Sequence, residues 1–226
     1  MIVTIDGPAA SGKSTIAQAV AQEMDLYYIA SGSLYRALSY ILINHFGYSL
    51  KDINDPKEEA LEKALDSKKF KYTYNKSTGV HIFFEDSEIS ALLKSELISS
   101  AASIMATNAL VHKHLIQFQR KLAEDHSIII DGRNCGSEVF PHAEVKIYMT
   151  ASEEIRAKRW QKVQAKVGNH IDLQEALKEI KERDKRDSQR SVSPLMVPKN
   201  GIIIDNSAMD IKESVAKVIY IIKQYV

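Results

Sequence analysis

Eight residues near the start of the chain pair glycine freedom with a lysine and a hydroxyl: Gly7-Pro8-Ala9-Ala10-Ser11-Gly12-Lys13-Ser14. They satisfy G-x-x-x-x-G-K-[ST] at every fixed position, and Thr15 follows. Glycines at Gly7 and Gly12 let the backbone curl so that successive N–H groups face one anion. A helix opening near Lys13 would aim its positive end at the same point. Lys13 adds full charge for the terminal phosphates, and the Ser14 hydroxyl can ligate Mg²⁺. The residue types and spacing point to a bound nucleoside triphosphate.

Such a loop usually has a carboxylate at the end of a neighbouring buried strand. Asp131, after Ser127-Ile128-Ile129-Ile130, is placed to be that group, acting on Mg²⁺ through water, and Arg133 follows two residues later. Between Glu153 and Arg190 there are eleven Lys/Arg against eight Asp/Glu. Arg183, Arg186 and Arg190 share a helical face, with Asp187 at i+4 from Arg183, and Arg156 and Arg159 are an i, i+3 pair. These five arginines are most of the chain's eight. Arginine's planar fork suits bidentate phosphate recognition, and a phosphoryl group in transfer needs fixed cations around it.

The elements that must hold these groups follow from the hydrophobic pattern. Strands are expected at Ile2 to Asp6, Leu26 to Ile29, Ser127 to Asp131, Val145 to Thr150 and Gly201 to Asp205. Helices are expected at Lys13 to Met24, Ser33 to Phe46, Ser90 to Asp125, Ser152 to Lys166, Leu173 to Arg190 and Ile211 to Tyr225. Alternation of the two predicts a parallel sheet covered on both faces, with strands apolar throughout because both faces are buried. Lys69 to Phe84 departs from this rhythm: Lys69-Phe70-Lys71-Tyr72-Thr73-Tyr74 alternates with period two, and a turn-like Asn75 to Gly79 follows. It reads as an antiparallel hairpin within an inserted subdomain.

Composition narrows the function classes. The chain has 226 residues, 45% hydrophobic and 26% charged, with a net charge of +1. That is enough apolar material for a core, and it argues against disorder and against a polycationic nucleic-acid surface. No apolar run approaches the roughly 18 residues of a membrane span. The start, Met1 to Gly7, does not read as a signal peptide, and Cys135 is the single cysteine, so a cytoplasmic location is expected. The Asn-Lys-x-Asp of guanine-reading proteins is absent, since Asn75-Lys76 continues as Ser77-Thr78. A small phosphotransferase fits better than a GTPase or a motor.

The chain resembles the bacterial cytidylate (CMP) kinases of the nucleoside monophosphate kinase group. The resemblance is carried by Ile5 to Thr15, Ser31-Gly32-Ser33-Leu34-Tyr35-Arg36, Ala101-Ala102-Ser103, Asp131-Gly132-Arg133, Val139-Phe140-Pro141, Val145-Lys146-Ile147, Ile180 to Asp184, Arg186-Asp187 and Pro194-Leu195. It implies a P-loop α/β fold of three layers with a five-stranded parallel sheet. A core would comprise 1–32, 106–150 and 195–226, with a monophosphate-binding region at 33–105 carrying a hairpin insertion at 69–85, and a helical lid at about 152–190. It implies ATP and Mg²⁺, transfer to CMP or dCMP without a general base, no nucleic-acid or membrane partner, and a monomer.

By the same resemblance, Ser31, Tyr35 and Arg36 lie near the acceptor phosphate, Ser103 faces the cytosine, and Arg133 and Arg190 hold the phosphate. Arg183 and Asp187 lie near the ribose, and Arg156 and Arg159 close over the transferring group. Lys13, Arg133, Arg156, Arg159, Arg183 and Arg190 form the implied catalytic set. Two positions depart from the family pattern where the base is read: Asn134 stands in place of an Asp, and His112 in place of an Arg. Asn can both accept and donate, so a UMP-preferring kinase of the same group stays open, as does a nucleotide-switched binding module.

Overall fold

A computed structural model describes residues 1–166 and 168–225. Val167, inside the expected lid range, and Val226, at the end of the expected core range, lie outside the described residues. Five strands, β1 (Ile2–Asp6), β2 (Tyr27–Ala30), β6 (Ile128–Gly132), β7 (Val145–Thr150) and β8 (Ile202–Asp205), form one parallel sheet in the order β2-β6-β1-β7-β8. The inner strand β6 lies between β1 and β2, Ile128 facing Ile2 in β1 and Tyr27 in β2. Its apolar run serves two layers. Ile128 and Ile130 enter the cluster beneath the helices α2 (Ser31–Asn44), α3 (Glu58–Ala64), α4 (Glu96–Met105) and α5 (Ala109–Leu122). Ile129 enters the cluster under α1 (Lys13–Met24) and α8 (Ile211–Ile222). This is the three-layer α/β arrangement expected of strands that lack alternation.

A second sheet is antiparallel, β3 (Phe70–Asn75) against β4 (Gly79–Phe84) and a two-residue β5 (Ser87–Glu88). Its register, Asn75 opposite Gly79, puts the turn where the Asn-to-Gly run lies. Phe70, Tyr72, Ile82 and Phe84 face the core, Lys71 and Thr73 face out, and His81 and Phe83 are half-buried. The helices α6 (Glu153–Lys166) and α7 (Leu173–Gln189) pack together, with Trp160 Nε1 donating to Glu179 Oε2 at 2.5 Å.

The single helix expected from Ser90 to Asp125 is three pieces: a 3₁₀ turn at Ser90–Lys94, then α4, then α5. The breaks fall at two N-caps. Ser95 accepts from Ile98 N, and Asn108 accepts from Leu110 N and Val111 N. Each side chain satisfies amides that a continuous helix would bond to its own carbonyls. Helix α2 begins at Ser31, two residues before the expected start, and α3 was not anticipated.

Candidate active site

The C-terminal ends of β1, β2 and β6 converge on one cleft of about 290 Å³, near the lower end of ordinary small-molecule sites. The loop after β1 turns sharply at Gly7 (φ 151°), Ala10 (φ 56°) and Gly12 (φ 93°) before α1 begins at Lys13. Ala10 is the one non-glycine residue of the loop held in the left-handed region, a conformation costing about 1–3 kcal/mol that surrounding bonds must maintain. Those bonds come from α6, α7 and the segment after β8. Arg156 Nη1 donates to Ala9 O at 3.3 Å and to Asp184 Oδ2 at 2.5 Å, and Asp184 Oδ1 accepts from Ala9 N at 3.4 Å. Arg159 Nη1 and Asn206 Nδ2 both donate to Ser11 O, at 3.2 and 3.0 Å.

Inside the loop, Lys13 is buried and folds back so that Nζ donates to Pro8 O at 2.8 Å. Burial lowers its pKa to about 7, helped by the Arg133 charge and opposed by Asp131. Ser14 Oγ donates to Asp131 Oδ2 at 2.6 Å, and Tyr28 Oη donates to Oδ1 at 2.6 Å. The end of β6 is thus joined to the phosphate loop through the Ser14 hydroxyl and to β2 through the Tyr28 hydroxyl.

The loop after β6 is fixed by a buried carboxylate. Asp6 accepts from Cys135 N at 2.8 Å and Gly136 N at 2.7 Å, capping a π turn at Cys135–Val139 and setting the directions of Arg133 and Asn134. Desolvation raises the Asp6 pKa, while the two amides pull it down. Arg133 Nε donates to Asp187 Oδ2 on α7 at 2.6 Å. Burial opposes ionisation of Asp187, but Arg133 outweighs it and holds the carboxyl below its ordinary value. Asp187 therefore pairs with Arg133 and not with Arg183, its neighbour at i+4. Arg183 lies 5.7 Å from the Trp160 ring centroid, and burial lowers its pKa to about 10.

The cleft brings together Lys13, Ser14, Ser31, Tyr35, Arg36, Ser103, His112, Asp131, Arg133, Asn134, Arg183, Asp187 and Arg190. Five cationic side chains face two carboxylates there. Gly7, Pro8, Ser11, Gly12 and Thr15 shape the loop without lining this cleft, whereas Ala9 and Ala10 do line it. Arg156 and Arg159 do not line it either; they sit behind the loop on the carbonyls just described.

His112 is occupied. Nε2 donates to Ala106 O at 2.8 Å, so Nδ1 accepts from Tyr35 Oη at 2.7 Å. Burial lowers its pKa, which keeps the ring neutral in this role. Asn134 Nδ2 donates to Glu138 Oε2 at 3.2 Å, leaving Oδ1 as an acceptor, and Ser193 Oγ also donates to Glu138. Arg190 Nε donates to Ser193 O at 2.5 Å. Sequence reasoning missed Asp6, Tyr28, Glu138 and Asn206. Only Asp6 carried a readable signal, as an acid ending an apolar strand.

Among the described residues no helix is long and apolar enough to cross a membrane. A family model described as cytidylate kinase matches residues 3–224. A cytidylate kinase of Bacillus cytotoxicus is 34% identical over 222 residues, covering 98% of this chain and 96% of the relative. One from Chlamydia trachomatis serovar L2 is 33% identical over 225 residues, covering 100% and 99%. A solved structure of an uncharacterized protein from Eubacterium ventriosum shares the fold, with a TM-score of 0.54, 15% identity and coverage of 99% and 98%. Nearly full-length coverage by the family model and by relatives above 30% identity leads to one conclusion: the chain belongs to the cytidylate kinase family.

Proposed function

We propose that this chain transfers the γ-phosphoryl group of ATP to CMP or dCMP, giving ADP and CDP or dCDP. The observation that carries the reading is one cleft in which the phosphate loop and Lys13 meet Arg36, Arg133, Arg183 and Arg190. One set of charges suits a donor triphosphate and the other an acceptor monoester. The acceptor's second pKa is about 6, so at pH 7 it is already a nucleophilic dianion and needs no base. His112, with both nitrogens engaged, fits a reaction that asks for none.

In the step itself an acceptor phosphate oxygen bonds to the γ-phosphorus as the bond to the β,γ-bridging oxygen breaks. The chain's work is positioning and charge neutralisation. Lys13 would leave the Pro8 carbonyl for the phosphates, and the cleft arginines would flank the transferring group. Arg156 and Arg159 hold the loop's shape here, and closure of the α6–α7 pair would bring them toward the donor and exclude water. Ser14 and Asp131 offer two hard oxygens, a donor set that suits Mg²⁺ because that ion keeps several waters and uses few protein ligands. When bound, Mg²⁺ would supply charge neutralisation at the phosphates. The near-balanced charge of +1 supports small-molecule substrates over a polyanion, the single cysteine fits a cytoplasmic location, and a monomer is what the family resemblance implies.

A coupled ADP-release assay across CMP, dCMP, UMP, AMP and GMP tests the reading. Turnover should be high with CMP and dCMP and low with the purines. Preference for UMP or AMP would overturn the base assignment, and no turnover with any of the five would overturn the reaction.

A further inference from the structure

Two tyrosines outside the mechanism above lie behind Asp131, one bonded to its carboxylate and the other to the strand that carries the first. Strand β2 is an edge strand, so one side of its backbone has no neighbouring strand. The inserted hairpin supplies the missing partner with one side chain. Tyr72 Oη accepts from Ala30 N at 2.8 Å and donates to the Tyr28 carbonyl at 3.1 Å. Tyr27 Oη returns a bond to the Tyr72 carbonyl at 3.3 Å. Within the segment pinned in this way, the buried Tyr28 side chain donates to Asp131 Oδ1, and its ring meets Tyr74 of the hairpin edge-on at 5.8 Å. Burial, then the Asp131 charge, pushes the Tyr28 phenol well above its ordinary range, so it stays a donor at neutral pH.

We propose that Tyr28 is a positioning residue for the Asp131 carboxylate, and that Tyr72 of the inserted hairpin holds the strand segment from which Tyr28 reaches it. The proposal rests on Asp131 being the metal-side carboxylate of the function proposed above. A carboxylate bonded at only one oxygen can swing about its Cβ–Cγ bond. Bonded at both, by Ser14 and Tyr28, it presents a fixed edge to whatever lies between it and the phosphates. The insertion thereby serves the donor side of the cleft as well as the acceptor side.

The test compares Tyr28→Phe, Tyr72→Phe and Asp131→Asn with the parent chain. Four quantities are read: Mn²⁺ affinity of the ADP complex by electron paramagnetic resonance, kcat, KM for CMP, and melting temperature. Tyr28→Phe should weaken Mn²⁺ binding and lower kcat, each roughly tenfold, with KM for CMP within about twofold. Tyr72→Phe should move the same two quantities in the same direction by about threefold, since it acts one step further back. A Tyr28→Phe chain with a lower melting temperature but unchanged Mn²⁺ affinity and kcat would overturn the positioning role. A Tyr72→Phe chain matching the parent while Tyr28→Phe is impaired would overturn the part given to the hairpin. If Asp131→Asn keeps parental Mn²⁺ affinity, the metal-side reading of Asp131 falls. If Asp131→Asn loses that affinity and Tyr28→Phe does not, only the present proposal falls.

Discussion

Arg133, two residues past Asp131, is bonded through Nε to Asp187 of α7 at 2.6 Å, and this pair joins the end of β6 to the helix that carries Arg183 and Arg186. Both side chains are largely buried, so removing one partner strands a charge. Asp187→Asn should cost about 2 kcal/mol of stability and raise KM for CMP about tenfold. The folded Asp187 pKa is depressed below its ordinary 3.8. Its contribution is therefore complete above about 3.8 and is lost only as pH falls through the lower folded value. Chemical denaturation should show the same cost at pH 7 and pH 5. A cost that disappears at pH 5 would contradict the pairing.

Lys13 carries a pH signature of the same sign in a higher window, from a charge that burial disfavours. Its pKa falls from 10.5 to about 7 in the folded chain, so between those values the unfolded chain binds more protons and folding stability rises with pH. Nucleotide phosphates should restore the charge. At pH 8 the ADP terminal phosphate, with a second pKa of about 6, has no proton to lose, so binding should take up close to one proton. Calorimetry in two buffers of different ionisation enthalpy measures this. Lys13→Met should abolish both the uptake and turnover, and equal uptake by parent and variant would contradict the assignment.

Base selection should depend on Glu138, which never needs to touch the base. Its carboxylate takes the Asn134 amide N–H₂, so Asn134 presents an acceptor that matches the cytosine amino group and repels a uracil carbonyl. Glu138→Ala frees the amide to turn over. The ratio of kcat/KM for CMP to that for UMP should fall roughly tenfold. An unchanged ratio would remove Asn134 orientation from the basis of selectivity.

The two loop glycines should not be equivalent. A Cβ on Gly7 would overlap the Met149 carbonyl oxygen of β7, on top of a φ of 151°. A Cβ on Gly12 meets nothing closer than Ile16 Cδ1 at 3.5 Å, leaving only the cost of φ 93°. Gly7→Ala should lose about 3 kcal/mol and Gly12→Ala about 1 kcal/mol in urea titrations. Equal losses would mean that the packing against β7 is softer than the geometry indicates.

The phosphate loop was legible because its chemistry and its turn are written in the same eight residues. Strand β6, buried on both faces, was legible in its unbroken Ile run, whereas β7 alternates and the edge strand β8 leaves Ile203 exposed, so the expectation of burial on both faces fails for those two. The region from Ser90 to Asp125 was not, since Ser95 and Asn108 look like any polar helix residue until their side chains are seen on the next turn's amides. The arginines announced their charge but not their partners. Arg156 and Arg159 sit behind the loop because Asp184 and Asn206 draw them there, and no local pattern encodes contacts across 28 and 47 residues. Tyr28 on Asp131, Asp6 on Cys135 and Asn206 on Ser11 span 103, 129 and 195 residues, and such pairs exist only once the sheet has assembled.

The place of β6 between β2 and β1 sets a clock on synthesis. Ile128 is the shared neighbour of Ile2 and Tyr27, so the first two strands to leave the ribosome have no partner until more than half the chain has been made. Until then both β1 and β2 expose apolar edges, and the Ser14 hydroxyl has no Asp131 to meet. The nascent chain is most open to misassociation over this interval, and nucleotide can act as a folding ligand only after residue 132 has emerged.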